Sequence, residues 1–205
     1  MSVLLSIAIP TIQSRKKVFD EFYFELINQT QPYESQIEII SICDNKEISI
    51  GEKRNKLNEL AKGRYVVQWD DDDWIGANTI DMIMDAITKD ADCISFKVWA
   101  DIEKEERWKI VYSVQYDNYN VKKDIKNKTL FLPPDQKCPI KKEILDKVKF
   151  LDIRYNEDKY FIRSVSKYIK TEFHINEYLY ESAYRGNEKD DALTRYGIKK
   201  TNNLL

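Results

Sequence analysis

Glycine and proline are scarce in this chain, five of each in 205 residues. That excludes the flexible or stiff linkers such residues build. The first glycine is Gly51, so the Gly-rich phosphate loop expected near the N-terminus of a nucleotidyltransferase is missing. Cysteine is also sparse. Cys43, Cys93 and Cys138 are odd in number, widely spaced and set among apolar residues. They predict reduced core thiols in a cytoplasmic protein and supply neither a disulfide framework nor zinc-ligand spacing. Long apolar runs are absent too. Val3 to Ile9 is far too short to span a bilayer and has no basic flank, so neither membrane anchor nor signal peptide is expected. Finally there is no excess of one charge: the net charge of −2 provides no global field to draw in nucleic acid. What remains, 33% charged and 42% hydrophobic residues, fits one globular domain over residues 1–205 with a substantial core. No internal repeat or low-complexity tract interrupts it.

The most informative stretch runs from Arg64 to Trp74, where the apolar segment Tyr65-Val66-Val67-Gln68-Trp69 leads into Asp70-Asp71-Asp72-Asp73-Trp74. Adjacent carboxylates repel, and a solvated acidic turn is one way to place them. The other is a cation. Hard divalent ions take oxygen ligands, and magnesium or manganese commonly sits on one or two carboxylates plus substrate phosphates. An acidic run at the carboxyl end of a strand, where open α/β sheets bind ligands, points to the second.

Apolar runs and helical periodicities alternate around it. Strands are predicted at 3–9, 37–43, 65–69 and 92–99, and helices at 16–28, 51–62 and 77–88. Pro10 bounds the first strand and Gly63 follows the second helix. That rhythm implies βαβ units and a mostly parallel α/β sheet flanked by helices. Beyond residue 100 the pattern changes. Strands are expected at 108–116 and 129–132, helices at 141–147 and 157–167, then a Tyr-rich, charged C-terminal flap. Residues 1–100 therefore read as a ligand-binding half and 101–205 as a second half on the same sheet.

In their order and spacing, Ile9-Pro10-Thr11, Asp44-Asn45, Gly51-Glu52-Lys53-Arg54-Asn55, Ala61-Lys62-Gly63 and Asp70-Asp71-Asp72-Asp73-Trp74 resemble the family 2 glycosyltransferases of the GT-A fold. Residues 3–100 carry most of the likeness. Later only Cys138-Pro139-Ile140-Lys141-Lys142 and Asn156-Glu157-Asp158 match. The resemblance implies a Rossmann-like GT-A sheet, a nucleotide-sugar donor that is UDP-linked, a Mn2+ or Mg2+ cofactor, and transfer to a hydroxyl acceptor with inversion.

It also implies roles. Asp70 faces the ribose, and Asp72 is the favoured metal ligand, with Asp70 beside it. Asp71 and Asp73 are not separable from them by sequence. Pro10 and Thr11 line the nucleotide pocket, and Asp44 meets the base unless it is only an Asx turn. Arg54 and Asn55 lie beside the diphosphate, where a cation is apt, with Lys53 a weaker candidate. Asp158 takes the acceptor proton with Glu157 as substitute, although acidic residues also suit a helix's first turn. His174, the single histidine, is a candidate late metal ligand. Arg185, in a segment that lacks the family's histidine, is a candidate phosphate contact. Trp99 falls where acceptors approach, while Trp69, Trp74 and Trp108 read as core.

Other function classes remain in view. A non-catalytic nucleotide-sugar-binding module would need no acidic metal cluster and no late Glu-Asp pair. Among transferases, a glycan or other soluble or macromolecular acceptor is expected. The alternative is a phage-type enzyme acting on hydroxymethylated DNA bases, with Lys-rich stretches at 122–128 and 137–149 meeting phosphates.

Overall fold

The structure is a computed structural model describing residues 2–102, 106–116 and 121–182. Strand β1 (Leu5–Ile12) is buried from Leu5 to Thr11, which is why its sequence is continuously apolar rather than alternating. It pairs in parallel with β2 (Ile37–Asp44) along its whole length, from Leu5↔Ile37 to Ile12↔Asp44. On its other side β3 (Tyr65–Gln68) pairs only as far as Ala8↔Gln68. The strand was expected to stop at Pro10; it runs through to Ile12. Past Ala8 β3 no longer flanks it, and there a residue without an N–H is tolerated. The last half of β1 thus borders an opening where β3 leaves the sheet.

Helix α1 (Lys16–Thr30) buries Phe22 and Leu26. Helix α2 (Ile50–Leu60) starts on an N-cap, with Ser49 Oγ accepting the Glu52 N–H at 3.0 Å. Leu57 points inward and Leu60 is exposed. Helix α3 (Thr79–Ile87) buries Ile80, Ile83, Met84 and Ile87, the stripe its periodicity predicts.

Beyond β4 (Trp74–Ile75) come β5 (Cys93–Ile102), β6 (Glu106–Tyr112), β7 (Lys122–Asp124), β8 (Thr129–Leu132) and β9 (Ile140–Lys141). Helices α4 (Lys142–Leu145) and α5 (Glu157–Val165) and strand β10 (Glu172–Ser182) complete the described chain. The sheet order is β2-β1-β3-β9-β5-β6-β8-β7, with β10 on β5 and β4 on β10. β9 is a short antiparallel wedge between β3 and β5. Strands β1, β2, β3, β5 and β10 run parallel to one another, while β6 pairs antiparallel with β5, giving the mixed, mostly parallel central α/β sheet flanked by helices that the sequence implied.

Three features differ from expectation. Residues 172–182, read as part of a flap, form β10, parallel to β5 and carrying register shifts on either side of Tyr178. Trp74 is exposed. Cys43 is exposed on β2, whereas Cys93 and Cys138 are buried. No helix among the described residues is long and apolar enough to cross a membrane.

Candidate functional site

Where β3 ends, Trp69 is fully buried and anchors the next turn. Its backbone N–H donates to Ala8 O and its indole N–H to Lys137 O, both at 3.1 Å. The four aspartates then separate by direction. Asp70 and Asp72 line a cavity of about 600 Å³, and Asp71 and Asp73 turn into the protein. Asp71 accepts from Thr11 Oγ1 at 2.5 Å, and Asp73 accepts from the Tyr180 hydroxyl at 2.7 Å. That hydroxyl in turn accepts the Asp70 N–H at 3.1 Å, so β10 fixes the turn from behind. Burial pushes the Asp71 carboxyl above its ordinary range; burial and the nearby Asp70 charge push Asp73 well above it. Asp70 goes the other way. Burial would raise it, but Arg54 and Lys137 hold it below the usual value.

The countercharge comes from three directions. Arg15, just before α1, spans Asp71 Oδ1 and Asp72 Oδ2 at 3.1 and 3.0 Å. Lys53 on α2 donates to Thr11 O at 2.6 Å and pairs with Asp44, tying together the ends of β1 and β2. Arg54, one residue on, has a side chain only 3% exposed. Its Nη2 donates to Asp70 Oδ1 at 2.7 Å, its Nε to Glu157 Oε1 at 3.3 Å and its Nη1 to Gln68 Oε1 at 3.4 Å. Burial alone would lower its pKa, but the two carboxylates raise it. This guanidinium is permanently charged.

The facing wall is α5 and the segment leading to it, and that segment is fastened to α2. Asn55 exchanges two hydrogen bonds with the Phe150 backbone, both 2.9 Å, and Ser49 Oγ donates to Asp152 at 2.6 Å. Gly51 lies so close to the segment that a Cβ there would sit 1.8 Å from Leu151 O. Arg154 Nη1 donates to Lys46 O at 3.0 Å, closing the rim. Asn156 takes a left-handed conformation (φ 64°), tolerable for Asn, and swings the chain into α5. Glu157 and Asp158 then line the cavity. Burial raises the Glu157 pKa, opposed by Arg54.

The cavity therefore gathers Pro10, Thr11, Lys53, Arg54, Asp70, Asp72, Glu157 and Asp158 from the residues singled out by sequence. Others lie elsewhere. Asp71 sits behind Thr11. Asp44 is engaged by Lys53 and by the Ile48 N–H at 3.1 Å. Asn55 is a clip on Phe150. His174 is in register with Ser95, near the start of β5, and its Nδ1 lies 2.9 Å from Ser95 Oγ. The acidic turn is met six residues further along β10, by Tyr180, so His174 is at the wrong end of the strand to join it. Trp99 does not line the cavity either. It lies on the opposite face of β5 from Val98, the register partner of Tyr180, and stacks on Tyr178 at 4.3 Å with Arg107 4.8 Å from its ring. Arg185 lies outside the described residues. Sequence reasoning passed over Arg15, Gln136, Arg154 and Tyr155, all on the cavity wall. Lys137, also on that wall, entered it only as the first residue of the Lys-rich stretch 137–149.

The donor set fits a hard divalent ion at Asp70 and Asp72, the two members of the acidic turn that face the cavity. No three His, Cys, Asp or Glu side chains among the described residues converge on one point. An ion there would draw its other ligands from a substrate diphosphate and water, as magnesium and manganese do.

No protein-family model matches the chain, and no curated protein matches it. Solved structures do resemble it. The crystal structure of S. aureus TarS 1-349 is 16% identical at a TM-score of 0.62, over 88% of this chain and 60% of that one. TarS 1-349 in complex with UDP-GlcNAc is 17% identical at a TM-score of 0.64, over 91% and 60%. The same protein in complex with UDP is 15% identical at 0.62, over 89% and 61%. This chain thus spans about three fifths of the length of those structures. The likeness shows the fold, the GT-A arrangement of an α/β sheet.

Proposed function

We propose that the chain is a metal-dependent, inverting glycosyltransferase of family 2. It moves a sugar from a UDP-linked donor to a hydroxyl of a glycan or another soluble or macromolecular acceptor. One observation carries the proposal. A single cavity sets Asp70 and Asp72 on one wall and Glu157 and Asp158 on another, with Arg15, Lys53, Arg54 and Lys137 between them. A nucleotide sugar presents a base, a ribose and a diphosphate, and its cleavage leaves extra negative charge on the diphosphate. The cations and the two outward carboxylates suit that group, and Pro10, Thr11, Ile12, Ile48 and Ile50 give the nucleoside an apolar wall.

Manganese or magnesium held by Asp70 and Asp72 would supply Lewis-acid stabilisation of the departing diphosphate. Arg15, 37% exposed, is positioned to give that diphosphate a second cation. Direct displacement needs one base on the acceptor side and no covalent nucleophile. Asp158 fills that role better than Glu157, because Glu157 is bound to Arg54 and serves to position it. TarS is a UDP-GlcNAc-binding neighbour in fold, so UDP-GlcNAc is the first donor to assay. For the alternative acceptor, a hydroxymethylated DNA base, none of the lysines at 122–128 lines the cavity, and of the stretch 137–149 only Lys137 does.

Thermal shift with UDP, GDP and UDP-GlcNAc, with and without manganese, tests the donor reading. UDP is expected to stabilise the chain, more so with manganese, and Asp72→Ala to abolish the manganese-dependent part. An unchanged manganese-dependent shift in that variant would sink the metal assignment.

A further inference from the structure

Asp72, one of the two carboxylates suited to a divalent ion, already has a cation on it. Arg15 Nη1 donates to Asp72 Oδ2 at 3.0 Å, and Arg15 Nη2 lies 3.1 Å from Asp71 Oδ1. Arg15 lines the same cavity as Asp70 and Asp72. It is held quite differently from Arg54, whose side chain is 3% exposed and makes three side-chain hydrogen bonds. The Arg15 side chain is 37% exposed, and among the described residues its one hydrogen bond is to Asp72. The approach to Asp71 is an ion pair only, because Asp71 Oδ1 makes no hydrogen bond, and Arg15 Nε has no partner either. A guanidinium is built to donate as a fork, so this one is under-used where it stands. The turn does not depend on it. Thr11 fixes Asp71, Tyr180 fixes Asp73 and Arg54 holds Asp70.

Two cations on Asp72 repel. With the guanidinium hydrogen-bonded to one oxygen, a divalent ion on the same carboxylate would sit a few ångströms from it, where like charges oppose each other strongly. A diphosphate changes that balance. It offers the fork a bidentate anionic partner, and it supplies the oxygen ligands that such ions draw from substrate. We infer that Arg15 is a place-holding cation: it neutralises Asp72 while the donor site is empty and moves to the diphosphate when ion and nucleotide bind. The inference rests on the metal-dependent transferase reading above. It adds that ion and donor bind as a unit, each poorly without the other, and that Arg15 is the residue that couples them.

The test titrates manganese into the unmodified chain, Arg15→Met, Arg15→Lys and Arg154→Met, without nucleotide and with saturating UDP, reading the free ion by electron paramagnetic resonance. Without nucleotide, Arg15→Met binds the ion roughly tenfold tighter than the unmodified chain, the size of an ordinary coupling between sites. Arg15→Lys keeps the charge and stays within about twofold. Arg154 lines the cavity but is tied to Lys46 O, so Arg154→Met measures what losing any nearby cation does, and it too stays within about twofold. The factor by which UDP tightens the ion shrinks in Arg15→Met alone. An ion affinity that is unchanged or weaker in Arg15→Met, or raised equally in Arg154→Met, overturns the place-holding role and leaves the donor site standing. Should the variants misfold, modification of Arg15 by phenylglyoxal, followed by mass spectrometry on the unmodified chain, decides. Manganese alone speeds it and manganese with UDP slows it; any other order overturns the role. No ion binding by the unmodified chain even with UDP overturns the metal reading itself, and this inference with it.

Discussion

Arg54→Met removes a side chain that touches both carboxylate walls. Arg54 is nearly fully buried and donates to Asp70 at 2.7 Å and to Glu157 at 3.3 Å. Its loss leaves the buried Glu157 and the half-buried Asp70 without their main counterion, and removing one partner of a buried pair costs about 3–5 kcal/mol. Part of that is recoverable. Burial already raises the Glu157 pKa, so without the guanidinium this carboxyl takes up a proton more readily. Its folded-state pKa then lies above the unfolded one, so its contribution is intact below the unfolded pKa and is lost as pH rises through the folded value. The variant's deficit should therefore be larger at pH 8 than at pH 5. For a chain of this size each kcal/mol moves Tm by about 2–4 °C, so a drop of roughly 6–20 °C is expected. Adding Glu157→Gln to Arg54→Met should restore at least about 1 kcal/mol, since contacting residues couple. Arg54→Lys should fall between, because an ammonium lacks the fork that reaches both carboxylates. Urea denaturation and calorimetry at both pH values provide the measurement. A loss below about 1 kcal/mol, flat with pH and unrelieved by Glu157→Gln, would refute the electrostatic argument.

Three further changes test other parts of the molecule. Asp158→Asn should bind donor normally while the chemical rate falls by roughly 10²–10⁴; near-normal turnover in single-turnover kinetics would remove it as the base. Gly51→Ala places a Cβ against Leu151 O, so the 150–156 segment must shift; a loss of more than about 2 kcal/mol and weaker UDP binding are expected, and an unchanged Tm would contradict that packing. Asp92 is held below the ordinary carboxylate value although burial alone would raise it, because the Lys170 and Thr171 N–H groups and Lys141 favour its charge. With a depressed folded pKa, its contribution is present above the unfolded pKa and is lost as pH falls through the folded one. Asp92→Asn should thus cost about 1–2 kcal/mol at neutral pH and nothing at strongly acid pH, and a pH-independent difference would argue against it.

The first hundred residues were largely legible because each element there is long enough to show its period. β1 and β2 run eight residues each, and α3 keeps one apolar stripe. β4, β7 and β9 are two or three residues long, too short for any alternation, and exist because neighbouring strands pair with them. β10 was missed because its register shifts break the period of two on which a strand is recognised. Within the site, composition picked out the aspartates but not their directions, which depend on Thr11 and Tyr180, 60 and 107 residues away in sequence. Trp99 and His174 were misplaced for a related reason. Which face of β5 a residue occupies, and which end of β10 meets the acidic turn, follow from strand order. Asn55 looked like a nucleotide contact because it follows Arg54, but its partner Phe150 is 95 residues away.

The way α2 is joined to the 150–157 segment bears on how the site would work. Four ties link them: Ser49 to Asp152, Gly51 against Leu151, Asn55 to Phe150 and Arg54 to Glu157. Two are hydrogen-bonded side-chain clips, one is a backbone approach only glycine permits, and one is a buried ion pair. Together they set the distance between Asp70, which Arg54 also holds, and Asp158, which follows Glu157 at the start of α5. The wall facing the donor and the wall carrying the candidate base are thus built on the same helix. Such fixed placement lowers the reorganisation needed when charge develops on a leaving group. Arg15 and Arg154 are more exposed and bind the rim rather than the frame. Substitutions on the buried face of α2 should therefore lower the chemical rate even where they leave UDP affinity intact, and rim substitutions should do the reverse.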